Sequence, residues 1–333
     1  MATFAKTTFD AARYAAARPT YPLQLYNFLF DFHGRSPRAR WDTALDLGCG
    51  TGQATFALTP YKRIIGADPS PRMIAQASAL LADPGASNAP LPPDVDVATV
   101  HAMKDRVSFV QSKAEELGWL EDGSVDMVVA AQAAHWFDWT RLWPEVARIV
   151  RPGGSLAIWG YSEFRLANHP SCTPLIHAYA QGFDPRMSLG PHWERPGRTI
   201  VDDHLQPIPD PRDVCEAGTW ETCERVYFVG AHYPHLPDPR PVLLRKRTTW
   251  GGVLSYLRTF SALHAFHEQF PEDKVDPRGD IAVRFWEQLR AQVAEDKRAL
   301  GKTGGADDGA IEGVDEEIEI EWPMAVVLAQ RAL

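Results

Sequence analysis

The sequence predicts an α/β protein built on a mostly parallel sheet. Between residues 41 and 160, short apolar runs alternate with helical segments, and turns rich in glycine or proline separate them. Strands that alternate with helices are typical of βαβ units, in which consecutive strands run parallel. Five runs are the strand candidates: TALDLGC, RIIGADPS, RVSFVQSKA, SVDMVVAAQ and GSLAIWGY.

Composition indicates a protein with a substantial apolar core. Of the 333 residues, 45% are hydrophobic and 11% aromatic, and this length suits one large or two small domains. No run of about 18 apolar residues predicts a transmembrane helix, and the N-terminus lacks the pattern of a secretory signal. The four cysteines are scattered without CxxC spacing, which predicts a reduced, cytoplasmic protein with no metal site and no disulfide framework.

The charge distribution argues against a nucleic-acid partner. Residues 307–321 contain eight acidic residues and no basic one, so this segment supplies most of the net charge of −9. The rest of the chain is therefore close to neutral. Proteins that bind nucleic acid normally carry a basic surplus or stripe, and none is present here.

Irregular composition marks three segments outside the repeating pattern. Residues 83–99 are rich in proline, alanine and aspartate, and residues 298–317 combine glycines with acids. Both are predicted to be surface loops. Residues 161–222 are rich in proline, histidine and tryptophan, which is more typical of an irregular lid than of a second domain.

The last third of the chain is predicted to return to the sheet. Residues 318–330, IEIEWPMAVVLAQ, begin with strict alternation and predict one strand at the end of the chain. Residues 223–230, CERVYFVG, are the expected partner strand. Two helical segments, residues 252–270 and 278–297, lie between them.

A glycine loop, LDLGCGTGQ, is the most informative stretch of the sequence. Gly48, Gly50 and Gly52 follow one predicted strand, and the lack of Cβ atoms lets the backbone turn tightly against a ligand. The dinucleotide fingerprint GxGxxG would place its third glycine at Gln53, so NAD(P) or FAD is the weaker match. Asp68 ends the next strand, where an acid accepts hydrogen bonds from ribose hydroxyls.

This loop resembles the first motif of the class I S-adenosylmethionine-dependent methyltransferases. Three later stretches resemble further motifs of that family: IIGADPSPRMIAQA, VSFVQSKAEEL and RIVRPGGSLAIWGY. The resemblance spans most of the chain. It implies a Rossmann-like sheet of seven strands in the order 3-2-1-4-5-7-6, with strand 7 antiparallel, helices on both faces and an added lid. It also implies that residues 1–333 form one domain. This domain would consist of a cofactor-capping segment 1–40, a cofactor-binding core 41–160, lid segments 161–222 and 250–297, and a final antiparallel strand 318–330.

The resemblance implies S-adenosylmethionine as the cofactor and S-adenosylhomocysteine as its product. Asp46 would engage the amino group, Asp68 the ribose hydroxyls, and Ala114 and Glu115 the adenine edge. Met73 would pack on the adenine face, or is an ordinary core methionine. The full set implied to bind the cofactor is Tyr14, Arg18, Asp46, Gly48, Gly50, Thr51, Gly52, Asp68, Met73, Ala114, Glu115 and Gln132.

Three shorter stretches, YAAARPTYP, AAQAAHWFD and YLRTFSA, resemble the trans-aconitate methyltransferase group of fungal type. That group esterifies small carboxylates, so the resemblance predicts a small-molecule acceptor, with no nucleic-acid or membrane partner, and a monomer or homodimer. Methyltransferases that act on amide nitrogens of nucleic acid or protein usually carry [DNS]PP[YF] after the fourth strand. AAQAAHWFD stands at that place here, which counts against such substrates.

The end of the fourth strand should meet both the cofactor and the acceptor, because ligands bind beyond the carboxyl ends of parallel strands. His135 is the predicted catalytic residue, as a base or hydrogen-bond donor, or else a partly buried histidine satisfied by backbone. Trp136, Trp159 and Tyr161 would line an apolar pocket or close the core beneath the lid. Arg258 would hold an acidic substrate or is exposed to solvent.

The nature of the acceptor decides what machinery is needed. A carboxylate is ionised at neutral pH and needs no base, whereas a phenol or thiol would benefit from one. Arg18 is a second candidate for pairing with the carboxylate of the cofactor or of an acidic substrate. Methyl esterification of a carboxylate is the leading hypothesis. An S- or O-methyltransferase of a thiol or phenol in secondary metabolism, and a non-catalytic cofactor-binding regulator, are the alternatives.

Overall fold

In the computed structural model, which describes residues 18–85, 91–92, 95–299 and 313–333, the strands form two sheets. Numbered in chain order, the strands are β1 (Thr43–Leu47), β2 (Arg63–Asp68), β3 (Val107–Gln111), β4 (Val125–Ala131), β5 (Val150–Tyr161), β6 (Arg165–Leu166), β7 (Trp220–Phe228), β8 (Leu244–Thr249), β9 (Glu317–Trp322) and β10 (Met324–Arg331).

The main sheet has the order β3-β2-β1-β4-β5-β10-β7. Strands β1 to β5 pair in parallel, and β10 runs antiparallel to both β5 and β7. Because β7 and β10 are the sixth and seventh strands of this sheet along the chain, the order is the predicted 3-2-1-4-5-7-6. The Rossmann-like fold class is therefore confirmed. The predicted pairing of 223–230 with the end of the chain is also present.

Helices cover both faces of the main sheet. Alternate strand residues point to opposite faces, so Val326 belongs to one apolar core and Val327 to the other. Ser70 and Asp138 cap two of the helices by accepting hydrogen bonds from backbone N–H groups of the first turn. The helices are α1 (Leu23–His33), α2 (Pro71–Ala82), α3 (Val97–Ala102), α4 (Trp139–Ile149), α5 (Thr173–Gln181), α6 (Gly197–Asp202), α7 (Pro211–Val214), α8 (Trp250–Leu257), α9 (Ser261–Gln269) and α10 (Ile281–Ala299).

The single strand predicted over residues 318–330 is divided into two by Pro323. β9 lies in the second sheet, which has the order β6-β9-β8, and only β10 enters the main sheet. Proline has no backbone N–H to donate to a ladder, so the chain can leave one sheet and join the other at this residue.

Two segments between strands do not form continuous α-helices. The segment after the glycine loop contains only the 3-10 turn Thr55–Ala57, because Pro60 lacks an N–H and disfavours helical backbone at the residue before it. The helix predicted over 252–270 is broken into α8 and α9. At the break the Thr259 hydroxyl donates to the Tyr256 carbonyl, 2.6 Å away, and Phe260 is extended.

The loop regions are described only in part. Within the predicted loop 83–99, residues 86–90 and 93–94 lie outside the described residues, and α3 begins at Val97. Most of the predicted loop 298–317 also lies outside them. Among the helices of the described ranges, none combines the length and apolar character needed to cross a bilayer.

Candidate functional site

A cavity of about 410 Å³ opens at the carboxyl ends of β1 to β4. Its volume lies within the usual range for small-molecule sites. Parallel strands end at the same edge of a sheet, so the loops that follow them converge on one ligand. Nine of the residues predicted to bind the cofactor line this cavity: Arg18, Gly48, Gly50, Thr51, Asp68, Met73, Ala114, Glu115 and Gln132.

The three loop glycines have positive φ angles of 67°, 54° and 88°, but they serve different purposes. A Cβ on Gly48 would lie 2.5 Å from the Cβ of Ala133, and a Cβ on Gly52 would lie 2.9 Å from the Phe56 ring. These two positions need glycine for packing as well as for backbone conformation. A Cβ on Gly50 meets nothing within 4 Å, so Gly50 leaves space on the cavity wall for a ligand. Gly52 does not line the cavity.

Asp68 joins the glycine loop to the start of α2. Its Oδ2 accepts a hydrogen bond from the N–H of Gly50 at 3.0 Å, and its Oδ1 accepts one from the N–H of Ser70 at 2.8 Å. Burial raises the pKa of Asp68, and these two hydrogen bonds oppose the shift. Each carboxylate oxygen has a second lone pair, so Asp68 can also accept hydrogen bonds from a diol in the cavity.

Asp46 lies behind the glycine loop, with no exposed surface. Its Oδ2 accepts a hydrogen bond from the Thr55 hydroxyl at 2.6 Å, whereas its Oδ1 has no hydrogen-bond partner among the described residues. Burial raises the pKa of Asp46 to about 7, although the Thr55 hydrogen bond opposes the shift. Asp46 does not line the cavity, and its contact with the cofactor's amino group stays a prediction.

Gln132 connects the ends of β4 and β5. Its side-chain Oε1 accepts from the N–H of Tyr161 at 2.6 Å, and its Nε2 donates to the carbonyl of Tyr161 at 3.0 Å. The Gln132 backbone is left-handed, with φ of 52°, a conformation that non-glycine residues rarely adopt outside functional sites and turns. The side-chain amide is therefore engaged in holding the ends of β4 and β5 together at the edge of the cavity.

A second, smaller cavity of about 90 Å³ adjoins the first. The two share Arg18, Gln132, Trp136 and Tyr161 as lining residues. Arg18 donates to the Tyr161 hydroxyl at 3.2 Å and lies 5.4 Å from the Tyr256 ring centre. Other lining residues come mostly from the lid: His135, Glu163, Phe164, Trp193, Glu194, Arg198, Tyr256 and Phe260. A methyl acceptor in this cavity would lie directly beside a cofactor in the larger one.

His135 lies in the 3-10 turn Ala134–Trp136 and lines the smaller cavity. Helix α6 packs against it so closely that a Cβ on Gly197 would lie 2.8 Å from the His135 carbonyl oxygen. Burial, followed by the positive charges of Arg198 and Arg18, lowers the pKa of His135 to about 3. His135 is therefore neutral and weakly basic at pH 7.

Two of the predicted substrate residues do not reach either cavity. Trp159 is fully buried, with Tyr21 and Tyr26 packed edge-on at 5.4 and 6.0 Å between ring centres, so it closes the core. Arg258 is exposed at the C-terminus of α8 and lines neither cavity. The prediction that these two face the pocket is wrong, whereas Trp136 and Tyr161 line both cavities. Tyr14 lies outside the described residues.

The sequence interpretation missed the charged residues that the lid contributes. Arg198 lies 2.8 Å from Asp202 and stacks over the Trp193 ring at 4.2 Å. Glu163 follows β5 by two residues and is buried. The only local signal was the charged and aromatic stretch HWERPGR inside the irregular lid. No group of three or more His, Cys, Asp or Glu side chains arranged to hold a metal ion occurs among the described residues.

We expect His135→Gln to make the fold more resistant to acid. Below pH 6.5 the unfolded chain protonates His135, whereas the folded chain keeps it neutral to about pH 3, so acid favours unfolding. Between pH 8 and pH 5, the unfolding free energy of the wild type should therefore fall by about 1–2 kcal/mol more than that of the variant. Urea unfolding at both pH values measures this. The packing change cancels in that comparison, and parallel pH dependences would contradict the prediction.

The sheet order and the cavity above the glycine loop define a class I methyltransferase fold. Residues 45–158 match the family model described as "Methyltransferase domain". S-adenosylmethionine is the cofactor that this match implies. The residues present fit that group, because Gly50 leaves open space on the wall and Asp68 has free acceptor capacity for a ribose.

Named relatives agree with this class. "Probable S-adenosylmethionine-dependent methyltransferase CRG1" of Saccharomyces cerevisiae is 31% identical over 177 residues, which cover 53% of this chain and 54% of that protein. The chain thus spans about half the length of this relative. "Methyltransferase cfoB" of Aspergillus candidus is 23% identical over 96% of this chain and 93% of its own length.

A solved structure supports the fold. The protein described as "a Putative Type II Methyltransferase from Anaeromyxobacter dehalogenans" superposes with a TM-score of 0.59 at 23% identity. The alignment covers 94% of this chain and 97% of that one. The similarity therefore extends beyond the matched domain to the lid and the last strand.

Proposed function

We propose that this protein transfers a methyl group from S-adenosylmethionine to a carboxylate oxygen of a small molecule. The observation that carries the proposal is the setting of His135, a neutral and weakly basic side chain beside two arginines, Arg18 and Arg198. Arginine suits carboxylates, and Arg18, which lines both cavities, is the arginine placed to pair with an anionic acceptor. That the chain belongs to the trans-aconitate-like fungal group stays a prediction.

The residues of the larger cavity are proposed to bind and orient the cofactor. Asp68 would accept hydrogen bonds from the ribose hydroxyls, Gly50 would lie against the methionine part, and Met73 would pack on the adenine. When bound, the cofactor supplies a methyl group already activated by the positive charge of its sulfur. The protein then needs to align the acceptor oxygen with that methyl group and to exclude water.

A carboxylate explains the weak basicity of His135 better than a phenol or thiol does. A phenol loses its proton only near pH 10 in water, so its methylation would benefit from a base of suitable pKa. A histidine with a pKa of about 3 removes such a proton poorly. A carboxylate is already ionised at pH 7 and needs no base. His135 can then line the cavity and hold the acceptor by a hydrogen bond.

The aromatic lining of the smaller cavity supports a second candidate. Phe164, Trp193, Tyr256 and Phe260 surround the space next to Arg18. Flat apolar side chains of this kind pack well on an aromatic ring. An O- or S-methyltransferase of a phenol or thiol is therefore the alternative that the same geometry supports.

An assay with methyl-labelled S-adenosylmethionine against carboxylates, phenols and thiols separates the two candidates. We expect label in base-labile methyl esters, and we expect His135→Ala to lower turnover by less than about tenfold, because no proton transfer is lost. Glu121→Gln, an exposed change remote from both cavities, is the control. Label confined to phenols or thiols, with a loss of about a thousandfold in His135→Ala, would identify a base and overturn the ester proposal.

A further inference from the structure

The smaller cavity contains a buried carboxylate that the methyl-transfer step does not use. Glu163 lies between β5 and β6 with 5% of its surface exposed, and it lines this cavity but not the larger one. Arg18 lines both cavities, so it lies at the cofactor side. A molecule in the smaller cavity would therefore have Arg18 near its reacting end and the Glu163 carboxylate, with Arg198 at 3.9 Å from it, near the other end.

One oxygen of this carboxylate has no hydrogen bond among the described residues. Glu163 Oε2 accepts from Arg165 at 3.1 Å, whereas Oε1 is buried and without such a partner. The nearest basic side-chain nitrogens to Oε1 are His177 Nδ1 at 3.6 Å and Arg198 Nη2 at 3.9 Å, beyond hydrogen-bond distance. A buried acceptor without a donor is costly, so a donor on the ligand would be bound favourably.

The neighbouring cations are already engaged by other groups. Arg165 also donates to the Phe164 carbonyl at 2.9 Å and to the Tyr233 hydroxyl at 2.7 Å. Arg198 is paired with Asp202. Arg198 Nη2 lies 2.8 Å from Asp202 Oδ1 and 3.9 Å from Glu163 Oε1, so it pairs more closely with Asp202. A second carboxylate on the ligand would meet the negative charge of Glu163 at short range, which is unfavourable in a partly desolvated cavity.

We propose that Glu163 selects methyl acceptors that carry a hydroxyl or ammonium group at the end opposite the reacting carboxylate. The substrate class is thus a hydroxy acid or an amino acid, and a dicarboxylate is disfavoured. This inference rests on the proposed ester chemistry for the reacting end. The recognition of the opposite end of the ligand does not depend on that chemistry, because Glu163 can accept a hydrogen bond from the ligand whether or not a methyl group is transferred.

Four acids with the same carbon chain test the selection: butyrate, 4-hydroxybutyrate, 4-aminobutyrate and succinate. Their dissociation constants are measured by calorimetry on the protein saturated with S-adenosylhomocysteine. We expect the hydroxy and amino acids to bind about tenfold more tightly than butyrate, and succinate to bind most weakly. In Glu163→Gln, the advantage of 4-aminobutyrate should disappear and succinate should gain affinity.

The controls separate recognition from folding and from catalysis. Glu121→Gln should leave all four affinities unchanged, and Glu163→Gln should bind S-adenosylmethionine as the wild type does, because Glu163 does not line the larger cavity. The wild type binding succinate as tightly as 4-hydroxybutyrate, or an unchanged order in Glu163→Gln, would overturn this inference alone. The expected order of binding without ester formation would overturn the proposed function alone. Binding of none of the four acids would overturn both.

Discussion

Replacing Gly50 with valine is expected to abolish binding of S-adenosylmethionine. The valine side chain would occupy the open space that Gly50 leaves on the cavity wall, and its branched Cβ would strain a backbone with φ of 54°. Loop movement to relieve that strain would also displace the N–H that donates to Asp68. We expect affinity to fall by at least about a hundredfold, equivalent to about 2.7 kcal/mol, in calorimetric titration.

Gly218 offers a matched control for this substitution. It also has a positive φ, of 81°, and a Cβ there would meet nothing within 4 Å, but it is exposed and lies away from both cavities. Gly218→Val should lower stability by about 1–2 kcal/mol through backbone strain and leave cofactor affinity unchanged. Full affinity in Gly50→Val, or an equal loss in Gly218→Val, would mean that Gly50 does not border the cofactor.

The sheet and the glycine loop could be predicted because their signals are local. A buried strand, the turn after it and the acid at the end of the next strand each occupy a few consecutive residues, and parallel strands bring those ends to one edge. The order of the strands came from the family resemblance. Gly50 and Asp68 consequently lie on the cavity wall, as the motif implied.

Side-chain direction within the site was less predictable. Trp159 and Tyr161 both belong to β5, yet only Tyr161 reaches the cavities, whereas Trp159 packs under α1. Arg258 is exposed and lines neither cavity, although Tyr256 and Phe260, two residues before and after it, line the smaller one. The direction of a side chain at the end of a helix or strand depends on packing against elements that are distant in sequence. Local sequence patterns therefore do not predict it.

The lid was the hardest part to anticipate for the same reason. Glu163 and Arg198 are 35 residues apart in the chain, in a segment without clear periodicity, and they meet only after the lid has folded against β5. The division of the last strand shows the opposite case. Pro323 was visible in the sequence, and its missing N–H was sufficient reason to expect a break there.

Asp68→Asn is expected to cause the second large loss of cofactor affinity. The amide presents one acceptor oxygen in place of two, so it cannot satisfy the Gly50 and Ser70 N–H groups together and also accept from a ribose diol. Hydrogen bonds to a charged acceptor contribute more than neutral ones, so we expect affinity for S-adenosylmethionine to fall about a hundredfold or more. Asp122→Asn removes the same charge at an exposed site and should leave affinity unchanged.

The pH dependence of binding tests the same role independently. Burial raises the pKa of the Asp68 carboxyl, and a protonated carboxyl donates where the ribose and the loop need an acceptor. In the wild type, affinity should therefore fall as the pH is lowered through this raised pKa. Asp68→Asn does not titrate, so that acid limb should be absent from its curve of affinity against pH. A retained acid limb in Asp68→Asn would assign the titration to another group, of which the buried Asp46, with its pKa raised to about 7, is the nearest candidate along β1.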